Sequence, residues 1–293
     1  MAISVEQREQ IVQGAIREIS HIATLPEITL KIIDLVEDPS STAQDLHGVI
    51  SNDPALCSRI LKVVNSSFYG LPGQIASINR AIVMLGLNAV KNIAIAASLA
   101  KLFRGGELTT NFTAKDLWTH SNQCALACKM IADRLKLGLG DEAYLAGLIH
   151  DIGLMVEMQY DRNKLIEAIE MCGADEDGVP AVGLLEAEDR VFGANHQDFG
   201  KALCEKWKFP APFITVTGHH HDPSAVASDN KTLCAIVYIA DRLAAEAGGG
   251  FRLDVPNLEI AADVKAQLGI TNEQIDAIRA ELPAMFEAID STL

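Results

Sequence analysis

No stretch of this sequence is apolar for long enough to cross a membrane. The longest apolar run, Ile93 to Ala100, is broken by Ser98 and bounded by Lys91, Lys101 and Arg104. That is far short of the roughly 20 residues a spanning helix needs. The first residues lack a basic segment followed by an apolar one, because Glu6, Arg8 and Glu9 are mixed with single aliphatics. No secretory signal is therefore expected, and the chain reads as a soluble, cytoplasmic protein with no membrane partner. Positive charge is also scarce: 24 basic side chains against 39 acidic ones leave a formal charge of −15. Binding a phosphate backbone requires clustered Lys and Arg, and no such cluster occurs, which excludes direct nucleic-acid binding as an expected function. Cys-x-x-Cys pairs are missing too. The six cysteines, Cys57, Cys124, Cys128, Cys172, Cys204 and Cys234, are expected to be small buried side chains of a reducing compartment.

Strand signals are few and helix signals many. Hydrophobic residues make up 49% of the 293 positions, enough for a continuous core. Asp53-Pro54 offers an N-cap followed by proline at the first helical position. Capping-box spacings occur at Thr113/Asp116 and Thr271/Gln274. Apolar residues recur at helical spacing, as in Ile82, Leu85, Ala89, Ile93 and Ala96. No hairpin and no strand–helix alternation is expected, so the predicted fold class is all-α. Gly105-Gly106, with Thr109-Thr110-Asn111 behind it, marks a boundary between a first and a second helical lobe. Gly173 to Pro180 reads as a loop between helices. Gly248-Gly249-Gly250 ends the second lobe and leaves a helical tail to Leu293.

Six of the eight histidines lie between His120 and His221. His120 belongs to the series Leu117, His120, Cys124, Ala127 and Ile131, one otherwise apolar helix face. Asp241 shares a face with Cys234, Val237 and Ala244. His196 begins a face continued by Phe199, Leu203 and Trp207, and His150-Asp151 follows the apolar run Tyr144 to Ile149. Ionisable groups are thus aimed at a dry interior, where leaving them unpaired is costly. A metal ion resolves the conflict, because imidazole nitrogens and carboxylate oxygens ligate it and its charge offsets theirs. The alternative is a helical scaffold in which each histidine is satisfied by ordinary hydrogen bonds. In the run Gly218-His219-His220-His221-Asp222-Pro223, adjacent histidines can serve neighbouring metals if the backbone bends between them.

The segment Leu145-Ala146-Gly147-Leu148-Ile149-His150-Asp151-Ile152-Gly153 resembles the signature of the HD superfamily of metal-dependent phosphohydrolases. That superfamily ligates metal with a histidine, a His-Asp pair and a distal aspartate, which would here be His120, His150, Asp151 and Asp241. The first half narrows the resemblance. Leu25-Pro26-Glu27, Ile50-Ser51-Asn52-Asp53-Pro54-Ala55-Leu56, Val64-Asn65-Ser66-Ser67-Phe68-Tyr69-Gly70 and Ile78-Asn79-Arg80-Ala81-Ile82-Val83-Met84-Leu85-Gly86 are similar to the HDOD (HD-related output domain) family. So are His220-His221-Asp222-Pro223 and Ile239-Ala240-Asp241-Arg242. The resemblance covers residues 18–247 and implies a multi-helical HD-like fold with an extra N-terminal helical lobe. Residues 18–108 would form that lobe, 109–247 the HD-like lobe and 248–293 the tail. His196, His220 and His221 fall at positions resembling the extra ligands of binuclear HD-GYP phosphodiesterases.

What the resemblance implies for function is a bacterial signal-transduction module with a His/Asp metal site and a signalling protein as partner. Its working surface would involve the first lobe, with the Leu71-Pro72-Gly73 turn as the place to look. The alternative is a metal-dependent phosphohydrolase, a phosphodiesterase acting on a small phosphoester such as a nucleotide or cyclic dinucleotide. Two departures bear on the choice: Leu154 stands where hydrolytic relatives carry lysine, and no Gly-Tyr-Pro element follows His221. The implied cofactor is one or two divalent transition ions, iron or manganese, because imidazole dominates the ligand set.

Overall fold

The computed structural model describes residues 4–19, 27–66, 69–99, 107–109, 112–176, 178–226, 230–247 and 251–290. The fold is all-α. Its first half consists of α1 (Val5–Glu18), α2 (Glu27–Glu37), α3 (Ala43–Ser51), α4 (Pro54–Val64), α5 (Ile78–Leu85) and α6 (Leu87–Leu99). The second half contains α7 (Ala114–Arg134), α8 (Gly140–Ile149), α9 (Ile152–Tyr160), α10 (Arg162–Cys172), α11 (Leu184–Val191), α12 (His196–Lys206) and α13 (Ala211–His219). A 3-10 turn at Pro223–Ala225 leads to α14 (Lys231–Glu246), α15 (Ala262–Leu268) and α16 (Asn272–Asp290).

The caps follow the sequence. Asp53 accepts from the Leu56 amide ahead of Pro54, and Thr113 and Asp116 exchange both bonds of a capping box. Thr271 and Gln274 do the same at the start of α16. Two readings need correction. The series Ile82 to Ala96 does not lie on one helix: Gly86, at φ +91°, ends α5 and starts α6, a backbone conformation that L side chains rarely adopt. In addition, β1 (Glu107–Thr109) and β2 (Phe112–Thr113) form one short antiparallel pair where no hairpin was expected. The Gly105-Gly106 and Gly248-Gly249-Gly250 boundaries lie outside the described residues, as do Thr110-Asn111, Leu25-Pro26 and Ser67-Phe68. The loop expected after Gly173 is present between α10 and α11.

Packing centres on α7, which lies against α8 and α14, while α12 lies against α9 and α13. Helix α6 joins the halves, touching α2 and α4 on one side and α8 on the other, and its residues from Ala89 to Leu99 are all buried. Such all-round burial explains why its apolar residues show no polar stripe. Helix α1 packs on α9 and α12 rather than on its sequence neighbours. Arg8 fastens it there by ion pairs to Asp189 and Asp198, both 2.6 Å. In the first half, the Asn65 side chain bonds both the amide and the carbonyl of Ile75. That pair of bonds closes the loop containing Leu71-Pro72-Gly73. No helix is long and apolar enough to cross a membrane among the described residues.

Candidate metal centre

His150 closes α8 and Asp151 opens α9. The pair therefore sits at a break between two helices rather than within one. Glycines on either side set how closely the neighbours approach. A Cβ on Gly147 would lie 2.9 Å from the Ala125 amide nitrogen on α7, and one on Gly153 would lie 1.8 Å from the His196 carbonyl oxygen on α12. Both are distances that real Cβ atoms essentially never show. The absence of these side chains lets α7 deliver His120 and α12 deliver His196 to the same point. His220 follows the last residue of α13, the chain turns, and His221 comes in from a second direction. Asp241 projects inward from α14.

All seven residues singled out in the sequence converge. His120, His150 and Asp241 form one group, and Asp151, His196, His220 and His221 form another; within each, the candidate ligand atoms lie within 4.8 Å of one another. Asp151 faces both. Its Oδ2 lies 3.1 Å from His150 Nε2 and 3.7 Å from His120 Nε2, while its Oδ1 lies 3.2 Å from His220 Nε2 and 3.7 Å from His196 Nε2. His120 Nε2 is 3.2 Å from Asp241 Oδ1. Six of the seven side chains are at most 1% exposed, and His221 is 10% exposed. His219, the remaining histidine of the run, joins neither group.

The hydrogen bonds on the far side of the rings decide what these atoms want. His150 Nδ1 lies 2.7 Å from the Gly147 carbonyl and His220 Nδ1 3.2 Å from the Val216 carbonyl. A carbonyl only accepts, so each Nδ1 carries a proton, and each ring, when neutral, turns an Nε2 lone pair inward. Those lone pairs meet carboxylate oxygens, also acceptors. Accordingly His120 Nε2, His150 Nε2, His220 Nε2 and both oxygens of Asp151 and of Asp241 have no hydrogen-bond partner despite their short separations. His196 Nε2 and His221 Nε2 face each other at 3.0 Å. A buried nest of acceptors is held together only by protons or by cations placed between them. Imidazole and carboxylate together suit a divalent transition ion.

Protons compete for the same positions. Burial pushes the His196 imidazole down, but Glu188 and Asp151 outweigh it and hold it at about 9. Burial drives His220 to about 4 and His221 well below its ordinary value. Burial would raise Asp151, yet His150 and the other imidazoles keep it well below the usual carboxylate range.

Two carboxylates at the site were not singled out from the sequence. Glu188, buried on α11, accepts from the His196 amide at 3.0 Å and lies 2.8 Å from its Nδ1. It fixes the tautomer that leaves Nε2 free, as carboxylates behind metal-bound histidines do. Behind it, burial and the charge of Glu188 hold the carboxyl of Glu157 well above its ordinary value. Asp254 is the other, 3% exposed and with Oδ2 3.5 Å from His221 Nε2. Nothing in helical periodicity marks either: Glu188 works through a loop-separated helix, and Asp254 lies between helices. The only available hint was an acidic residue amid apolar ones, as in Leu253-Asp254-Val255.

Residues 22–223 match the model of the HDOD domain. Among solved structures, the chain is similar to an HDOD domain protein with unknown function from Geobacter sulfurreducens, at 24% identity and a TM-score of 0.74, with 95% of this chain and 98% of that one covered. It is also similar to a provisionally named phosphohydrolase from Shewanella amazonensis SB2B, at 21% identity and TM-score 0.71, covering 95% and 97%. A provisionally named signal transduction protein from Marinobacter aquaeolei VT8 matches at 21% identity and TM-score 0.76, covering 97% and 64%. These likenesses establish the fold. An uncharacterized protein of Treponema pallidum (strain Nichols) is 26% identical over 228 residues, or 76% of this chain, and the match spans only 42% of that relative's length.

Proposed function

The chain belongs to the HDOD family, and from that premise we propose that it is a regulatory module of bacterial signal transduction built around a His/Asp metal centre. The observation that carries this reading is enclosure. Seven candidate ligands converge, and six of their side chains are at most 1% exposed, so among the described residues the ligand atoms are shielded from a phosphoester in solution. Leu154, in place of the lysine usual in hydrolytic relatives, is itself 1% exposed and packed in the core. Structural metal sites are closed by protein ligands, whereas catalytic ones keep a position open. His120, His150 and Asp241 would hold one ion, and His196, His220 and His221 a second, with Asp151 offering an oxygen to each. Iron or manganese suits this imidazole-rich set, and the ions would supply the positive charge that the buried carboxylates lack. In this role the protein works in the cytoplasm and presents its helical surface, including the first-half loop closed by Asn65, to a protein partner.

A phosphohydrolase is the second reading, favoured by one feature: Asp151 spans both ligand groups, as a carboxylate between two hydrolytic metals does. Turnover separates the two. The manganese-loaded protein, purified without a polyhistidine tag, is expected to hydrolyse a generic phosphodiester no faster than the stripped protein. Robust metal-dependent turnover would replace the regulatory reading with the phosphohydrolase.

A further inference from the structure

The matched family region ends at residue 223, but the centre is completed by a segment beyond it. After α14 the chain folds back, so that Phe251, Asp254 and Val255 are all buried. Phe251 sets its ring edge-on to His120, centroids 5.7 Å apart. The Leu253 carbonyl accepts from the Leu184 amide at 2.9 Å, tying the segment to the start of α11. Directly after these anchors Asp254 turns its carboxylate to the cluster. Both its oxygens are buried without a hydrogen-bond partner, and its Oδ2 lies 3.5 Å from His221 Nε2. His221, Asp241 and Asp254 together place one ligand atom each within 4.8 Å. Asp241 belongs to the first ligand group and His221 to the second, so Asp254, like Asp151, reaches both.

An isolated carboxylate in an apolar enclosure is expensive. Here Asp241 offers a second carboxylate within 4.8 Å, the charge of Asp151 also bears on it, and among the described residues no basic side chain except His221 lies within ion-pair distance. Its position is therefore one that a cation makes favourable. We propose that Asp254 is a further ligand of the metal centre and that residues 251–255 are a built-in plug, filling the position that a hydrolytic centre leaves to its substrate. This rests on the reading of the cluster as a metal centre, and it gives that reading a cause: the centre is regulatory because the chain's own carboxylate saturates it.

The test compares wild type, Asp254→Ala and Asp254→Asn as full chains, purified without a polyhistidine tag, stripped, and titrated with manganese(II) in the presence and absence of formate. Both variants are expected to bind manganese about 10-fold or more weakly than wild type. Formate, a free carboxylate, is expected to restore part of the affinity of Asp254→Ala. It should leave wild type unchanged, and Asp254→Asn also, because the amide still fills the space. The stripped Asp254→Ala protein should melt no lower than stripped wild type, since it has lost an unpaired buried carboxylate; Asp254→Asn carries the binding comparison should the alanine variant not fold. Equal manganese affinity in all three proteins, or an equal response to formate, would overturn the assignment of Asp254 and leave the metal centre standing. A wild-type protein that takes up neither manganese nor iron would overturn both.

Discussion

Glu188 Oε2 lies 2.8 Å from Nδ1 of His196, and both residues are fully buried. The same carboxylate accepts from the His196 amide, so one side chain fixes both the ring and the start of α12. Glu188→Gln keeps the shape but offers an amide that no longer enforces the Nδ1–H tautomer. Metal affinity is expected to fall about 10- to 100-fold, measured by titration of stripped protein. Glu188→Ala should in addition cost roughly 3–5 kcal/mol of stability by urea unfolding, because the buried partner is left uncompensated.

Gly153 permits the contact of α9 with α12. Gly153→Ala would force a Cβ to within 1.8 Å of the His196 carbonyl, so the helices must separate. A loss of about 3 kcal/mol or more is expected in urea unfolding, accompanied by weaker metal binding because His196 moves. Gly48→Ala is the control. It lies in α3 with nothing within 4 Å of the added atom, and should stabilise by up to about 1 kcal/mol.

That contrast shows what was legible in the sequence. The inward faces of His120 and Asp241, the apolar approach to His150-Asp151 and the caps at Asp53, Thr113 and Thr271 are local patterns, and each reappears in the structure. His120, His196 and Asp241 could be singled out because they combine ionisable chemistry with helical periodicity and His150-Asp151 because it ends an apolar run, whereas His220 and His221 stood out by the histidine run and the HD-GYP resemblance. Gly86 interrupted a periodic run that pattern alone reads as continuous, since periodicity carries no information on backbone sign. Glu188 and Asp254 were not legible: each reaches the site by tertiary packing, from a helix across a loop and from a segment between helices. The enclosure of the centre also became visible only in three dimensions.

Leu154 fills a core position at 1% exposure. Leu154→Lys would bury an ammonium there, at an expected cost of several kcal/mol in urea unfolding. Since the centre is enclosed, phosphodiester turnover should stay at background. A gain in turnover would mean that the cluster is within reach of substrate.

The protein should lose stability at alkaline pH. Burial pushes the thiols of Cys172, Cys204 and Cys234 up to about 12, whereas an unfolded chain releases these protons near 9. Between those values the folded state holds more protons, so stability falls as pH rises, by about 1.4 kcal/mol per pH unit for each such group. Urea unfolding between about pH 9 and 12, the window these shifts define, should show this slope, reduced by one proton in Cys204→Ala. A slope unchanged by that substitution would contradict the burial argument.

The most direct test is elemental analysis of the protein purified without a polyhistidine tag, with Asp151→Ala purified in parallel. Asp151 faces both ligand groups, with oxygens 3.1 Å from His150 Nε2 and 3.2 Å from His220 Nε2. Wild type is expected to carry one to two iron or manganese ions per chain, Asp151→Ala markedly less, and only wild type should lose much of its thermal stability on chelation. Wild-type protein free of metal, with a melting temperature indifferent to chelator and equal metal content in Asp151→Ala, would contradict the account.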